Sequence, residues 1–305
     1  MGDLSFGDWA ARTAWRLFPK RAFSAAVGFG AGLSVSAPAK MRLLVLRRFA
    51  EAYGLDLTEA EHPLESYAGV DQLFTRRLKP GARPIDPDPR LLAAPSDGVV
   101  VHAGIAEEGK LLQAKGVFFS LADLLGDAEL GQALTGGSYL ITYLSPKDYH
   151  RVHAPVGDRV LGWRHIPGTL FAVNDKGVLR ERELFVRNER FVTIMDGPAG
   201  LCAVAMVAAM GVGHITAAYD VDVATHGKEF AEARLLQRTY EIPRPLSKGG
   251  EVGVFHLGST SIAVFAPGRV RLRDLTPGSK IRMGETIGEI VDRAGTAPDD
   301  RKGSL

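Results

Sequence analysis

Between residues 41 and 53 apolar side chains recur at spacings of three and four. Leu43, Leu46, Ala50 and Tyr53 form the repeat, and Arg42, Arg47, Arg48 and Glu51 fill other positions. That period puts the apolar set on one face of a helix and predicts one over Met41–Tyr53. Thr58 to Glu61 can begin a short turn, and Val70 to Leu78, carrying Phe74, Arg76 and Arg77, reads as a further helix. Lys79-Pro80-Gly81-Ala82-Arg83-Pro84-Ile85 closes this stretch, because two prolines and a glycine do not continue a helix. Beyond it the period changes. Val99–Ala103, Tyr139–Leu144, Phe191–Met195, Leu201–Val207, Gly253–Phe255 and Ile262–Ala266 are short apolar runs that predict strands. Turn signals lie between them, among them Asp97-Gly98, Asp196-Gly197 and Pro267-Gly268. A helix interrupts near Ser120–Leu125. No even alternation of strand and helix is present, which disfavours a doubly wound sheet. The reading is an α+β fold, with a helical N-terminal region over residues 1–80 packed on a compact, mainly antiparallel β domain over residues 81–305.

Composition adds one feature to this picture. Glycine, at 35 of 305 residues, exceeds the usual share of about 7%, as many tight turns between short strands require. The net charge of +2 gives no reason to expect nucleic acid, which demands a stronger basic balance. Cys202 is the only cysteine, so no internal disulfide forms; its apolar surroundings mark it as a small buried hydrophobe, and a reducing compartment fits.

No stretch has the roughly 18 uninterrupted apolar residues of a membrane-spanning helix. The N-terminus has a different character: Trp9, Trp15, Leu17 and Phe18 lie among Arg12, Arg16, Lys20 and Arg21, and a softly apolar run from Ala22 to Ala39 leads to Lys40 and Arg42. Aromatics and cations in this mixture suit a bilayer interface with anionic headgroups, so residues 1–80 are expected to associate with a membrane surface. A signal peptide cleaved near Ser34-Val35-Ser36-Ala37 and a plain packed helical cap are the competing readings. Residues 296–305 are polar enough to fray.

Three segments carry candidate chemistry. Pro95-Ser96-Asp97-Gly98 holds a carboxylate in a turn ahead of a strand. Tyr143 to Pro155 places His150 and His153 three apart among polar and rigid residues, and Leu257-Gly258-Ser259-Thr260 separates two apolar runs with a glycine and two hydroxyls. Taken singly each is weak, since Gly-Ser and Asp-Gly are common turn dipeptides. His-x-x-His lacks the further ligands of a zinc set, so no metal is expected. His256 is close to Ser259 in sequence, but closeness along a strand does not ensure a shared face. His102, His165, His214 and His226 have no supporting context and are read as structural or surface histidines. Together the three segments supply Asp97, His153 and Ser259, the components of an activated hydroxyl. No Gly-x-Ser-x-Gly elbow surrounds Ser259. A serine directly after a glycine has another option, attack on its own preceding carbonyl, which glycine leaves accessible.

These segments resemble the phosphatidylserine decarboxylase family, in its long bacterial membrane-associated form. The matching stretches are Phe74-Thr75-Arg76, Gly81 to Ile85, Ser96-Asp97-Gly98, Gln113-Ala114-Lys115-Gly116 and Tyr143 to Pro155. They continue with Pro167-Gly168, Phe171 to Asn174, Arg187-Asn188-Glu189-Arg190, Leu257 to Thr260 and Phe265 to Gly268, in family order over roughly residues 41–290. The resemblance implies a proenzyme cleaved between Gly258 and Ser259 into a β chain (residues 1–258) and an α chain (residues 259–305) that stay associated. It places the self-processing triad on Asp97, His153 and Ser259, with His153 as base and Asp97 orienting it, and it links His150 to decarboxylation. It implies a covalent pyruvoyl group made from Ser259, which holds the substrate amine as a Schiff base, and a phospholipid substrate, phosphatidylserine, converted to phosphatidylethanolamine and carbon dioxide. Peripheral placement on the cytoplasmic side of the cell membrane follows from that substrate, and a homodimer is a possible assembly. Arg76, Arg77 and Arg83 are candidates for the phosphate or for anionic headgroups, with ordinary solvated charges as the equal alternative. His256 and His214 depart from the family pattern and are given no catalytic role. Two other classes compete: an unprocessed Ser-His-Asp hydrolase and a non-catalytic lipid-binding β module.

Overall fold

The computed structural model describes residues 37–114, 116–173, 177–178, 181–209, 214–225, 230, 234–256 and 259–291. The expectations for the first 36 residues and for the tail from Thr296 lie outside these. Helix α1 (Ala39–Tyr53) starts after Pro38 and ends where Gly54 turns left-handed, its N–H reaching back to the carbonyls of Ala50 and Glu51. Leu46 joins Tyr67, Val70 and Leu73 in a small apolar cluster, whereas Met41, Leu44, Val45 and Tyr53 are exposed. No described helix is long and apolar enough to cross a membrane.

Helix α2 (Val70–Phe74) stops short of the predicted Leu78. The chain beyond it pairs with residues 59–61 instead: Glu61 N–H donates to the Arg77 carbonyl and Lys79 N–H to that of Glu59, around an antiparallel bridge between Ala60 and Leu78. Tertiary pairing overrides a local helical pattern here.

The remaining chain builds strands β1 (Leu91–Ala93), β2 (Gly98–Ile105), β3 (Lys110–Ala114), β4 (Val117–Ser120), β5 (Ser138–Leu144), β6 (Arg151–His153), β7 (Asp158–Ile166) and β8 (Arg190–Gly197). It continues with β9 (Gly200–Ala208), β10 (Ile215–Ala217), β11 (Leu236–Leu246), β12 (Glu251–Phe255), β13 (Ser259–Phe265), β14 (Val270–Leu272), β15 (Lys280–Ile281) and β16 (Thr286–Ile290). Helices α3 (Leu121–Leu125), α4 (Ala128–Leu134) and α5 (Leu184–Arg187) intervene. The predicted helix near 120 is α3, with the Ser120 hydroxyl capping it by accepting from Asp123 N–H.

An eight-stranded sheet in the order β11-β7-β8-β9-β13-β5-β2-β15 forms the frame. Beside it stand three-stranded sheets β10-β12-β6 and β1-β16-β14 and the β3-β4 pair. The pairings between strands are antiparallel, so the α+β expectation holds. The large sheet is buried on both faces. Val204, Met206, Ala263 and Phe265 pack with Val152, Val252 and Phe255 of the β10-β12-β6 layer. The alternating residues Ala203, Ala205, Val207, Ile262 and Val264 pack with Leu121, Leu134 and Phe185 of the helices. A strand covered on both sides reads as an unbroken apolar run, which is why β5, β8, β9 and β13 stand out in the sequence.

Buried polar side chains fasten the helical layer to this sheet. Gln113 bonds the carbonyls of Val178 and Glu181 and the N–H of Leu184. Asn188 bonds both backbone groups of Phe171 and the carbonyl of Ala208. The buried Arg190 guanidinium donates to the carbonyls of Asp123, Leu124, Val186 and Asn188, satisfying helix ends that have no partner of their own.

Candidate active site

The turn Pro95-Ser96-Asp97 precedes β2 and touches both neighbouring elements. The Pro95 carbonyl accepts from His153 N–H at 2.8 Å, which ties the turn to β6. The Ser96 and Ser261 hydroxyls meet at 2.8 Å, which ties it to β13 two residues after Ser259. Asp97 is buried. Its Oδ1 accepts from Arg83 Nε at 2.9 Å and from Met283 N–H at 2.8 Å, and its Oδ2 takes the second arm of the same guanidinium. Arg83 also pairs with Glu59 at 2.9 Å. Of the three arginines offered for an anion, Arg83 is therefore consumed by carboxylates of the protein itself, and Arg77 is exposed.

Gly98 follows with φ +150°, and a Cβ there would lie 2.2 Å from the Tyr143 carbonyl oxygen. Gly98→Ala is expected to lower stability by at least about 2 kcal/mol, because the clash is with backbone that cannot rotate away. A urea midpoint equal to wild type would show that β2 shifts freely against β5.

His153 ends β6. Its Nδ1 lies 2.8 Å from the Gly249 carbonyl and its Nε2 3.1 Å from the Tyr149 hydroxyl. A carbonyl only accepts, so Nδ1 carries the proton and Nε2 presents a lone pair that receives the Tyr149 O–H. Burial pushes the imidazole pKa below its ordinary value, with the Gly249 bond opposing. Gly249 must be glycine: φ is +74°, and a Cβ would come 2.0 Å from Ile85 Cδ1. The expected orientation of His153 by Asp97 is not a direct hydrogen bond. The ring is held by Gly249 and Tyr149, and Asp97 reaches it through charge and through the backbone of its turn.

His150 lies in the loop Ser145–His150, which the Asp148 carboxylate folds by accepting from Ser145 N–H at 2.7 Å and from its hydroxyl at 2.6 Å. The Asp148 carbonyl takes His150 Nδ1–H at 2.8 Å, and the Phe74 ring covers the imidazole at 3.9 Å between centroids. His150 is fully buried and its Nε2 has no hydrogen-bond partner. Burial, with a smaller contribution from the Arg76 charge, drives its pKa down to about 3, so the ring is neutral with a free lone pair on Nε2.

The segment Phe74-Thr75-Arg76 clasps this loop. Arg151 donates from Nε and Nη2 to the Thr75 carbonyl while its Nη1 bonds both oxygens of Glu251 at 2.8 Å. Arg76 Nη2 donates to the Lys147 carbonyl at 3.0 Å.

Ser259 begins β13, opposite Leu144 at the end of β5 and Ala208 at the end of β9. Gly258 lies outside the described residues. Leu144 leads directly into the His150 loop, and the His150 carbonyl accepts Phe255 N–H at 3.0 Å where β12 ends. His150 thus sits between the strand that leads toward the 258/259 bond and the strand that begins at it. His153 pairs with Glu251 at the opposite end of β12.

Sequence reasoning missed Tyr149, which lies within the Tyr143–Pro155 run with no local signal of its bond to His153. It also missed the Arg83–Asp97 clamp and the Gly249 carbonyl. Of the other histidines, His256 bonds Asp71 at 2.9 Å and stacks on His214 at 3.9 Å, His102 meets the Tyr139 hydroxyl at 2.9 Å and His165 pairs with Glu189 at 3.2 Å.

Comparison with known proteins bears on this arrangement. The family model for phosphatidylserine decarboxylase matches residues 70–289. A phosphatidylserine decarboxylase proenzyme of Anaeromyxobacter sp. (strain K) is 45% identical over 277 residues, 90% of this chain and 96% of the relative. That of Myxococcus xanthus (strain DK1622) is 42% identical over 277 residues, again 90% and 96%. That of Ectopseudomonas mendocina (strain ymp) is 41% identical over 243 residues, 79% and 85%. The matched span runs from the Phe74 clasp to the last strand and includes Asp97, His150, His153 and Ser259, and on this evidence the chain belongs to the phosphatidylserine decarboxylase family.

Proposed function

We propose that the chain is a self-cleaving, pyruvoyl-dependent decarboxylase that converts phosphatidylserine to phosphatidylethanolamine and carbon dioxide. The observation that carries this reading is His150: a buried, neutral imidazole with an unpartnered Nε2, set beside the strand end that leads into the 258/259 bond. Such an orphaned acceptor is costly unless a donor occupies the site, and the amine of a substrate that condenses with a group formed from Ser259 fits that need.

In the self-processing step His153 accepts the Ser259 proton, and Oγ attacks the Gly258 carbonyl. The acyl group moves from nitrogen to oxygen, elimination frees Gly258 as a carboxylate, and water releases the nitrogen of residue 259 as ammonia. Asp97, fixed by Arg83, stabilises the imidazolium that forms on His153 through its charge. The pyruvoyl group supplies the electron-accepting carbonyl that loss of carbon dioxide from an amino acid requires. His150 Nε2 relays a proton to the substrate α-carbon after carbon dioxide leaves. Phe74 keeps water from that ring.

Cleavage leaves β13 hydrogen-bonded to β5 on one side and β9 on the other, so the β and α chains stay associated through the centre of the large sheet. Residues 1–80 form the membrane-associating region and residues 81–305 the self-processing domain. Helix α1 supports the first assignment, since Met41, Leu44 and Val45 are exposed beside the exposed cations Lys40, Arg47 and Arg48. That surface suits the cytoplasmic face of the cell membrane, where anionic lipids attract cations.

Intact-mass measurement of purified protein tests the reading. Two fragments meeting at residues 258 and 259 are expected, the second beginning with a pyruvoyl group, and Ser259→Ala is expected to give one full-length chain. Carbon dioxide release is expected from phosphatidylserine and not from free serine. An active preparation consisting only of uncut chains would refute the proposal and point to a serine hydrolase.

A further inference from the structure

A cleft of about 430 Å³ opens beside the His150 loop, lined by residues of the 54–59 turn, the Phe74 clasp, the Asp97 turn, Ser145 to Tyr149, and β15. Arg76 lies in its wall. The residue is only 4% exposed. One nitrogen, Nη2, donates to the Lys147 carbonyl, and the other two, Nε and Nη1, are buried without a hydrogen-bond partner. Arg76 forms no ion pair among the described residues. A buried guanidinium with most of its donors unsatisfied is a costly arrangement for a folded chain, unless an anion completes it.

The carboxylates lining the same cleft do not serve that purpose. Asp97 is held by Arg83, Glu59 by Arg83 and Arg282, Asp148 accepts from Ser145, and Asp56 accepts from the Thr58 N–H and hydroxyl. Two further cations, Lys147 and Lys280, line the cleft and pair with no carboxylate among the described residues. In all, five cationic side chains face four carboxylates, a balance that favours a singly charged anion over a doubly charged one. The planar fork of an arginine matches two oxygens of a phosphate.

The cleft borders Ser145, the residue after Leu144, and Leu144 stands opposite Ser259 across the β5–β13 ladder. An anion on Arg76 therefore lies beside the end of the sheet where the Ser259-derived group forms. We propose that Arg76, assisted by Lys147, binds the phosphodiester of the substrate headgroup, so that a lipid phosphodiester rather than free phosphate is the natural occupant. This assignment rests on the decarboxylase reading above. Arg76 is then a specificity-determining residue: it selects amines that carry a phosphodiester and rejects free serine.

The test uses full-length processed protein with Arg76→Gln, Arg76→Lys and the adjacent exposed Arg77→Gln. Mass analysis first establishes that each variant is cut. Arg76→Gln is expected to raise KM for phosphatidylserine in mixed micelles at least about tenfold while kcat changes by less than about threefold, as loss of substrate binding alone requires. Arg76→Lys should fall between, and Arg77→Gln should match wild type. Glycerophosphoserine should inhibit wild type competitively and raise its melting midpoint, and both effects should vanish in Arg76→Gln. A folded, processed Arg76→Gln protein with wild-type KM overturns the site. If that variant does not fold, the proposal stands or falls on Arg76→Lys: unchanged KM and unchanged glycerophosphoserine inhibition overturn it. Should inorganic phosphate shift the wild-type midpoint while glycerophosphoserine neither shifts it nor inhibits, the lipid assignment is wrong. Should glycerophosphoserine bind through Arg76 in a protein that releases no carbon dioxide, the decarboxylase reading fails and the anion site survives.

Discussion

His153→Ala will leave the chain as a single full-length polypeptide under conditions where wild type is cut between Gly258 and Ser259. The serine hydroxyl is a poor nucleophile at its ordinary pKa and needs a base to attack an amide. His153 is equipped for that task. Its Nδ1–H is committed to the Gly249 carbonyl, which fixes the tautomer with the lone pair on Nε2. Loss of a positioned base slows such a step by about 10²–10⁴-fold, enough for uncut chain to dominate over a normal expression period. The pH dependence has a defined sign. Burial lowers the His153 pKa below the ordinary imidazole value of about 6.5, so the neutral, basic form persists to lower pH than a free imidazole would allow. Self-cleavage should therefore fall off with a midpoint on the acid side of 6.5. Rapid cutting of the alanine variant, followed by mass analysis over time, would sink the assignment. A midpoint at or above 6.5 in the pH profile would show that the base titrates in a wetter site than the structure gives His153.

How much of this was legible in the sequence depends on what each residue needs around it. Strands β5, β8, β9 and β13 could be read because both of their faces are covered, which leaves an apolar run. β7 and β11 could not. β7 carries Arg159, Arg164 and His165, and at Gly162 a Cβ would come 2.2 Å from the Arg238 carbonyl oxygen, where the two strands approach too closely for a side chain. β11 is the edge of the large sheet and contains Pro243 and Pro245, residues that argue against a strand unless it is known to be an edge. The end of α2 was misplaced for a related reason: the bridge between Ala60 and Leu78 depends on contacts that no local window contains.

Site residues divide in the same way. Asp97, His150, His153 and Ser259 stand in dense motifs, and their residue types are the ones from which the proposed chemistry is argued. The groups that hold them do not. Gly249 acts through a carbonyl that every residue possesses, and only its left-handed backbone distinguishes it. Tyr149 donates to His153 from the middle of a motif already full of reactive side chains. Arg83 looked like an anion ligand because its charge is visible in the sequence, whereas its partner Asp97 is 14 positions away. Arg76 looked the same, and only its burial with two idle donors separates it from Arg83 and Arg77.

His150→Ala should give the opposite phenotype from His153→Ala: a chain that is cut, at least in part, and a product that turns over phosphatidylserine about 10²–10⁴-fold more slowly. The two histidines differ in what their free nitrogen meets. His153 Nε2 already receives the Tyr149 hydroxyl, whereas His150 Nε2 is buried with nothing bonded to it, which suits a group that must exchange protons with a substrate arriving later. With a pKa near 3, His150 is neutral across the working range. Under the proposed mechanism the proton it relays to carbon therefore reaches Nε2 only in the substrate complex and is not stored there beforehand. Replacing it therefore removes proton transfer without touching the Asp97 turn or the Gly249 carbonyl that hold His153. The same low pKa predicts that kcat of wild type shows no break near 6.5 attributable to this residue. Fragment masses and carbon dioxide release from one preparation decide the matter together. A cut His150→Ala protein with wild-type kcat would remove His150 from the reaction, and normal cutting in both single variants would mean that neither histidine is the processing base.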